Sequence, residues 1–305
     1  GIEMALMDLT GKAYGVPCYQ LAGGKFRDRI RCYSDTPTLH DPVEMGQKLK
    51  ERMDSGFTFL KMDVGIGHLR GISGTISVPS GHLDTHNLMH PFTGIRITDK
   101  GLQMLSEYVG AVRQIIGYEV PLALDHFGHI GVEDCIRLAR ELDQYNLAWL
   151  EDMIPWQFTD QYVRLSNACT TPICTGEDIY CKEEFVKLFE AKAIAISHPD
   201  IATSGGILET KKIGDLAQEH GIAMAMHMAG TPVCAMASVH CAAATENFMV
   251  LENHSVDTPW WDQLVTGLPD PIIQDGYIMV PNSPGLGISL NEEAIKAHLH
   301  PNETG

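Results

Sequence analysis

Six acidic or histidine residues each close a short apolar run: Asp125 after VPLAL, Glu151 after NLAWL, Glu177 after TPICTG, Asp200 after AIAISHP, His227 after GIAMAM and Glu252 after FMVL. Successive members lie about 25 residues apart, the length taken by one strand, one helix and two loops. Asp125, Glu151 and Glu177 are carboxylates, and three of them in a partly dry site repel one another. A hard divalent cation relieves that repulsion. Oxygen-only donors suit Mg²⁺, whose octahedral shell keeps positions for water and substrate. Singly, each reads equally well as a strand-end acid meeting a helix N-terminus or a lysine. Three at matched positions on consecutive strands favour the metal. Asp200 and His227 close the next two runs. An aspartate beside a histidine fixes its tautomer and raises its basicity, which makes a general acid/base. Lys61 and Asp63, in FTFLKMD, share one face of a strand. Either both reach the same site or they pair with each other.

Such residues converge only if the strands that carry them are neighbours. Between the apolar runs lie segments of helical period, such as Val132, Cys135, Ile136, Ala139 and Leu142. RIRCYSDT (29–36) and FTFLKMD (57–63) add two upstream strands and bring the total to eight. Eight such units predict an α/β barrel, with its active site at the C-terminal ends of the strands. An open doubly wound sheet is the alternative, but no Gly-rich phosphate fingerprint follows any strand. Residues 1–28 read as a segment leading into the barrel, 29–255 as the barrel and 256–305 as a C-terminal tail. The Gly-, Pro-, Ser- and His-rich stretch 64–100 is too long for an ordinary connection and is expected to form a lid or rim. Its His82, His86 and His90 read as polar loop histidines in preference to a metal site.

Composition narrows the function. There are 22 Lys+Arg against 39 Asp+Glu, a formal net charge of −17. That balance argues against nucleic acid and anionic membrane surfaces, both of which select basic stripes. Hydrophobic residues make up 44% of the chain, enough to build a packed core. There is no apolar stretch of membrane-spanning length and no signal-peptide pattern, so a cytoplasmic protein is expected. The eight cysteines include no C-x-x-C pair. They are expected to be buried, reduced thiols.

Together these motifs resemble the enolase superfamily, in particular its mandelate racemase branch, along essentially the whole chain. IEMALMDLTGKAYGVPCYQLAGG is similar to that family's lead into its barrel, and PGLGISLNEE to its C-terminal signature. The resemblance implies a modified TIM-type (β/α)7β barrel. It also implies Asp125, Glu151 and Glu177 as Mg²⁺ ligands, Asp200 and His227 as the catalytic dyad, and Glu252 as the strand-eight acid that supports an enolate. The chemistry implied is removal of the proton α to a carboxylate. The substrate implied is a small-molecule carboxylate, a sugar acid, and the family's habit is a homo-oligomer.

Two departures shape the expectation. The branch often carries K-x-K on the second strand, where Lys61 is followed here by Asp63. A racemase needs acid/base groups on both faces of the carbon, so β-elimination of water by an acid-sugar dehydratase is favoured over a racemase or epimerase. Asp63 as a second base is the remaining variant. Phe127 stands where related dehydratases place a His or Asn. Strand alternation turns His126 away from the mouth, which leaves His129 as a candidate acid. The chain also begins just after the point where the family's capping domain ends, so it is expected to be a fragment with little activity alone. An inactive barrel serving as a binding module is the non-enzyme alternative, and the intact ligand and dyad set speaks against it.

Overall fold

The computed structural model describes residues 1–78, 95–125 and 130–299. His82, His86, His90, His126, Phe127 and His129 lie outside the described residues. The barrel strands are β1 (Arg29–Ser34), β2 (Leu60–Asp63), β3 (Leu122–Asp125), β4 (Leu150–Glu151), β5 (Ile173–Thr175), β6 (Ile196–Ser197), β7 (Ala223–Met226) and β8 (Phe248–Asn253). They form the closed, helix-surrounded parallel barrel of a TIM-type α/β fold. Seven lie within the stretches read as strands from the sequence, and β8 runs one residue past FMVLE to Asn253; strands covered on both faces need such largely apolar stretches. No described helix is long and apolar enough to cross a membrane.

The chain divides into two compact units. The first comprises Gly1–Asp35, Glu177–Glu184 and His198–Gly305. In it β1 pairs in parallel with β8, placing Tyr33 opposite Glu252 and Ser34 opposite Asn253. β8 pairs in parallel with β7, and a single bridge joins Asp200 to His227. β9 (Tyr277–Met279) from the tail runs antiparallel along β1. Helix α1 (Ile2–Tyr14) is tied to this unit by charge: the Glu3 carboxylate accepts from the N–H groups of Ile207 (2.8 Å) and Leu208 (3.0 Å). Those are the first donors of the helix Ile207–Glu219, which have no partner inside their own helix. At Gly11 the tail comes so close that an added Cβ would lie 2.7 Å from the Gly285 Cα. That approach requires a residue with no side chain.

The second unit comprises Thr36–Gly176 and Phe185–Ser197. Its strands β2 to β6 pair in parallel in chain order. Asp63 lies opposite Asp125, Asp125 opposite Glu151, and Glu151 opposite Cys174. Helix α2 (Pro42–Asp54) starts on the Asp41 cap, and α3 (Asp99–Ile116) on Thr98, whose hydroxyl accepts from Gly101 N–H at 3.1 Å. Arg113 of α3 is buried and donates to the carbonyls of Tyr145, Gly117, Val120 and Asn146 at 2.9–3.2 Å. The stretch expected as loop 64–100 opens with a 3-10 turn at Ile66–Leu69 and contains a short antiparallel pair, Ile76–Ser77 with Arg96–Ile97. Its last two residues already belong to α3.

Asp134, in helix α4 (Val132–Leu142), anchors the returning strand. Its carboxylate accepts from Arg96 Nε at 2.8 Å, Ile97 N–H at 3.0 Å and Arg137 Nη1 at 2.9 Å. Burial pushes this carboxyl up, but the two guanidiniums and the backbone N–H outweigh burial and hold it below its ordinary value. Its stabilising contribution is therefore complete above the unfolded carboxylate range and is lost as pH falls through the depressed native value. Asp134→Ala is expected to destabilise the fold by about 2–3 kcal/mol in denaturant melts. The difference from the parent protein should shrink in strong acid.

Candidate active site

In the second unit, Lys61 and Asp63 of β2 stand beside Asp125 at the end of β3 and Glu151 at the end of β4. The Lys61 ammonium is 1% exposed and lies 3.1 Å from Asp125 Oδ2 and 3.4 Å from Glu151 Oε1. One cation thus separates two buried carboxylates on adjacent strands and reduces their mutual repulsion. Trp149 Nε1 donates to Glu151 Oε2 at 2.8 Å and fixes the plane of that carboxylate. Asp63 accepts from the Thr38 hydroxyl at 2.7 Å.

The first unit holds Glu177, Asp200, His227 and Glu252. His227 Nδ1–H donates to Asp200 Oδ2 at 2.7 Å. The other Asp200 oxygen accepts from Ala202 N–H at 2.7 Å and Thr203 N–H at 3.1 Å, capping the helical turn Ile201–Ser204. Asp200 is therefore a helix cap as well as a strand-end acid, a role the sequence pattern did not reveal. Burial pushes its carboxyl up, but His227 and the cap donors outweigh burial and hold it below its ordinary value. An anion fixed on Nδ1 leaves Nε2 as the basic nitrogen. That nitrogen lies 3.6 Å from Glu177 Oε2, and Glu177 follows β5 by two residues.

Two further histidines join this group. His198 is fully buried, bonds the Tyr33 hydroxyl through Nε2 at 3.0 Å and packs edge-on against His227 at 5.8 Å. His254 lies edge-on to His227 at 5.1 Å. Sequence reasoning missed both. His198 stands two residues before Asp200, so alternation about that acid was the available signal; His254 follows the end of β8 at Asn253 and had none. His129, the candidate acid, lies outside the described residues. The thiol expectation needs one correction: Cys181 is exposed and Cys169 and Cys234 are half-buried, while the other five are buried. Cys181 opens a helix on the surface, and no apolar run encloses it.

Acidic and histidine groups able to hold a metal ion are present among the described residues. In the second unit Asp125 and Glu151 are buried carboxylates, hard oxygen donors of the kind that suits Mg²⁺.

Residues 44–294 match the family model described as Enolase C-terminal domain-like, and the chain belongs to that family. It is 36% identical to the D-xylonate dehydratase of Haloferax volcanii over 100% of this chain and 70% of that protein. It is 30% identical to the D-galactonate dehydratase family member RspA of Pantoea ananatis, over 96% of this chain and 71% of that protein. A mandelate racemase/muconate lactonizing enzyme-like protein from Rubrobacter xylanophilus superposes with a TM-score of 0.88 at 34% identity. The match covers 100% of this chain and 77% of that one. Within the enolase superfamily the chain stands with the acid-sugar dehydratases, and it is an enzyme of the lyase class.

Asp200→Asn keeps an oxygen for the helical cap but offers an N–H to His227 Nδ1, which favours the other ring tautomer. Turnover is expected to fall by about 10²–10⁴-fold, with a melting temperature close to that of the parent. Unchanged turnover in a steady-state assay would remove His227 as the base.

Proposed function

We propose that this enzyme removes the proton α to the carboxylate of a sugar acid and expels the β-hydroxyl as water, giving a 2-keto-3-deoxy acid. The observation that carries the reading is the Asp200–His227 bond of 2.7 Å, which orients a basic Nε2 toward the Glu177 carboxylate. In this reading Asp125, Glu151 and Glu177 hold Mg²⁺. The ion, when bound, supplies positive charge for the substrate carboxylate and for the second negative charge that enolisation places on it.

His227 takes the α-proton on Nε2, and Asp200 stabilises the imidazolium that results. Lys61 adds a fixed positive charge beside Asp125 and Glu151. Glu252 supports the enediolate. Departure of the β-hydroxyl needs a proton, which His227 is positioned to return on the face from which it took one. Asp63 is engaged by Thr38, which supports one-sided chemistry over a two-base racemase. The relatives' names make D-xylonate and D-galactonate the first sugar acids to test.

Two measurements check this reading. Mg²⁺ is expected to raise the melting temperature by mass action, and Glu177→Gln should abolish most of that shift. A panel of sugar acids is expected to yield a 2-keto-3-deoxy product, with solvent deuterium delivered only on the face next to His227. A product inverted at C2, with its hydroxyl retained and no keto acid formed, would establish racemisation instead.

A further inference from the structure

Glu252 is fully buried at the C-terminal end of β8, and two histidines flank it. His254 Nε2 lies 3.3 Å from its Oε1, and His198 Nε2 lies 3.6 Å from its Oε2. The other ring nitrogen of His254, Nδ1, lies 3.4 Å from Asp35 Oδ2. Solvent reaches the outer two members of this line and not the inner one: the Asp35 side chain is 24% exposed, His254 32% and Glu252 0%. His198 is itself fully buried against the Tyr33 hydroxyl, so of the two flanking rings His254 is the one that meets solvent. Backbone bonds hold the line in place. Asp35 N–H donates to the Asn253 carbonyl at 3.0 Å, and His254 N–H to that of Met228 at 3.4 Å. Ser255 N–H donates to the Asn253 side chain at 2.7 Å and closes the turn around His254.

We propose that His254 is the proton port of Glu252, passing protons between solvent beside Asp35 and the buried carboxyl. The inference rests on the reading of Glu252 as the group that supports the enediolate. A carboxylate anion would repel the charge developing on the substrate, whereas a carboxylic acid donates a hydrogen bond to it. A carboxyl without solvent access can reset its protonation state only through a neighbour. The step balances without a redox partner. An O–H bond forms at Glu252 Oε1 as the Nε2–H bond of the doubly protonated His254 ring breaks; the neutral ring keeps its Nδ1–H toward the Asp35 carboxylate, and a hydronium ion from solvent recharges it, leaving water. His254 therefore acts through Glu252 and is a positioning residue that never touches the reacting carbon.

The test uses His254→Gln and His254→Ala, with Glu252→Gln as reference. In infrared spectra of the substrate-free protein, the protonated carboxyl band of Glu252 is the one lost in Glu252→Gln. After a rapid pH jump the band is expected to relax about 10-fold more slowly in His254→Gln than in the parent, because a port sets how fast the buried carboxyl equilibrates. This readout is independent of turnover and of metal loading. With Mg²⁺ and D-xylonate, kcat of both His254 variants is expected to fall by about 10–100-fold, with KM little changed. Imidazole in the buffer should restore part of the rate of His254→Ala, because the vacated position opens to solvent. Parent-like kcat in both His254 variants would overturn the port, as would parent-like relaxation of the carboxyl band without imidazole rescue. Parent-like kcat in Glu252→Leu, which keeps no donor where Glu252→Gln keeps an N–H, would instead overturn the underlying role of Glu252, so the two failures are told apart. If His254→Ala does not fold, the band and kcat of His254→Gln decide alone.

Discussion

Carboxylates taken out of water at the ends of neighbouring strands must find positive charge or hydrogen-bond donors, and most of the polar architecture follows from that need. Asp125 and Glu151 share the Lys61 ammonium, and the Trp149 indole holds the remaining Glu151 oxygen. Asp200 spends one oxygen on helix donors and the other on His227. Glu252 sits between two imidazoles. Each acid is thereby held in one orientation. Preorganisation of this kind is what a site needs if it is to stabilise charge without rearranging during the reaction.

The same side chains serve local structure and the candidate site together. Asp200 caps a turn while it orients the His227 ring. Asn253 pairs with β1 through its backbone, and its side chain closes the turn that carries His254. Sharing of this kind leaves few positions where a role in folding can be separated from a role in the reaction by a single substitution. It is also the reason why an activity loss needs a second readout before a role is assigned.

Much of the fold was legible because buried parallel strands cannot alternate polar and apolar residues. VPLALD, NLAWLE and GIAMAM therefore stood out as runs, and their terminal acids and His227 could be named from type and spacing. Interactions that join residues distant in sequence without periodicity were not legible. Asp134 reads as an ordinary first-turn acid of a helix, and nothing in its neighbourhood announces Arg96 or Ile97. Arg113 lies in an amphipathic helix and reads as a solvent-facing cation, yet it is buried. His198 sat inside HPD, where the aspartate drew the interpretation. His254 lies just past a strand end, where alternation no longer says which way a side chain points.

Arg113 has a wider consequence. Its guanidinium satisfies four carbonyls in the connections that lead into β3 and β4, at the ends of those strands remote from Asp125 and Glu151. Those connections are held by a side chain that has no part in the reaction. Sequence drift among the residues that read the substrate at one end of the strands therefore leaves the anchoring at the other end untouched. A scaffold divided in this way can acquire new sugar-acid preferences without first acquiring extra stability.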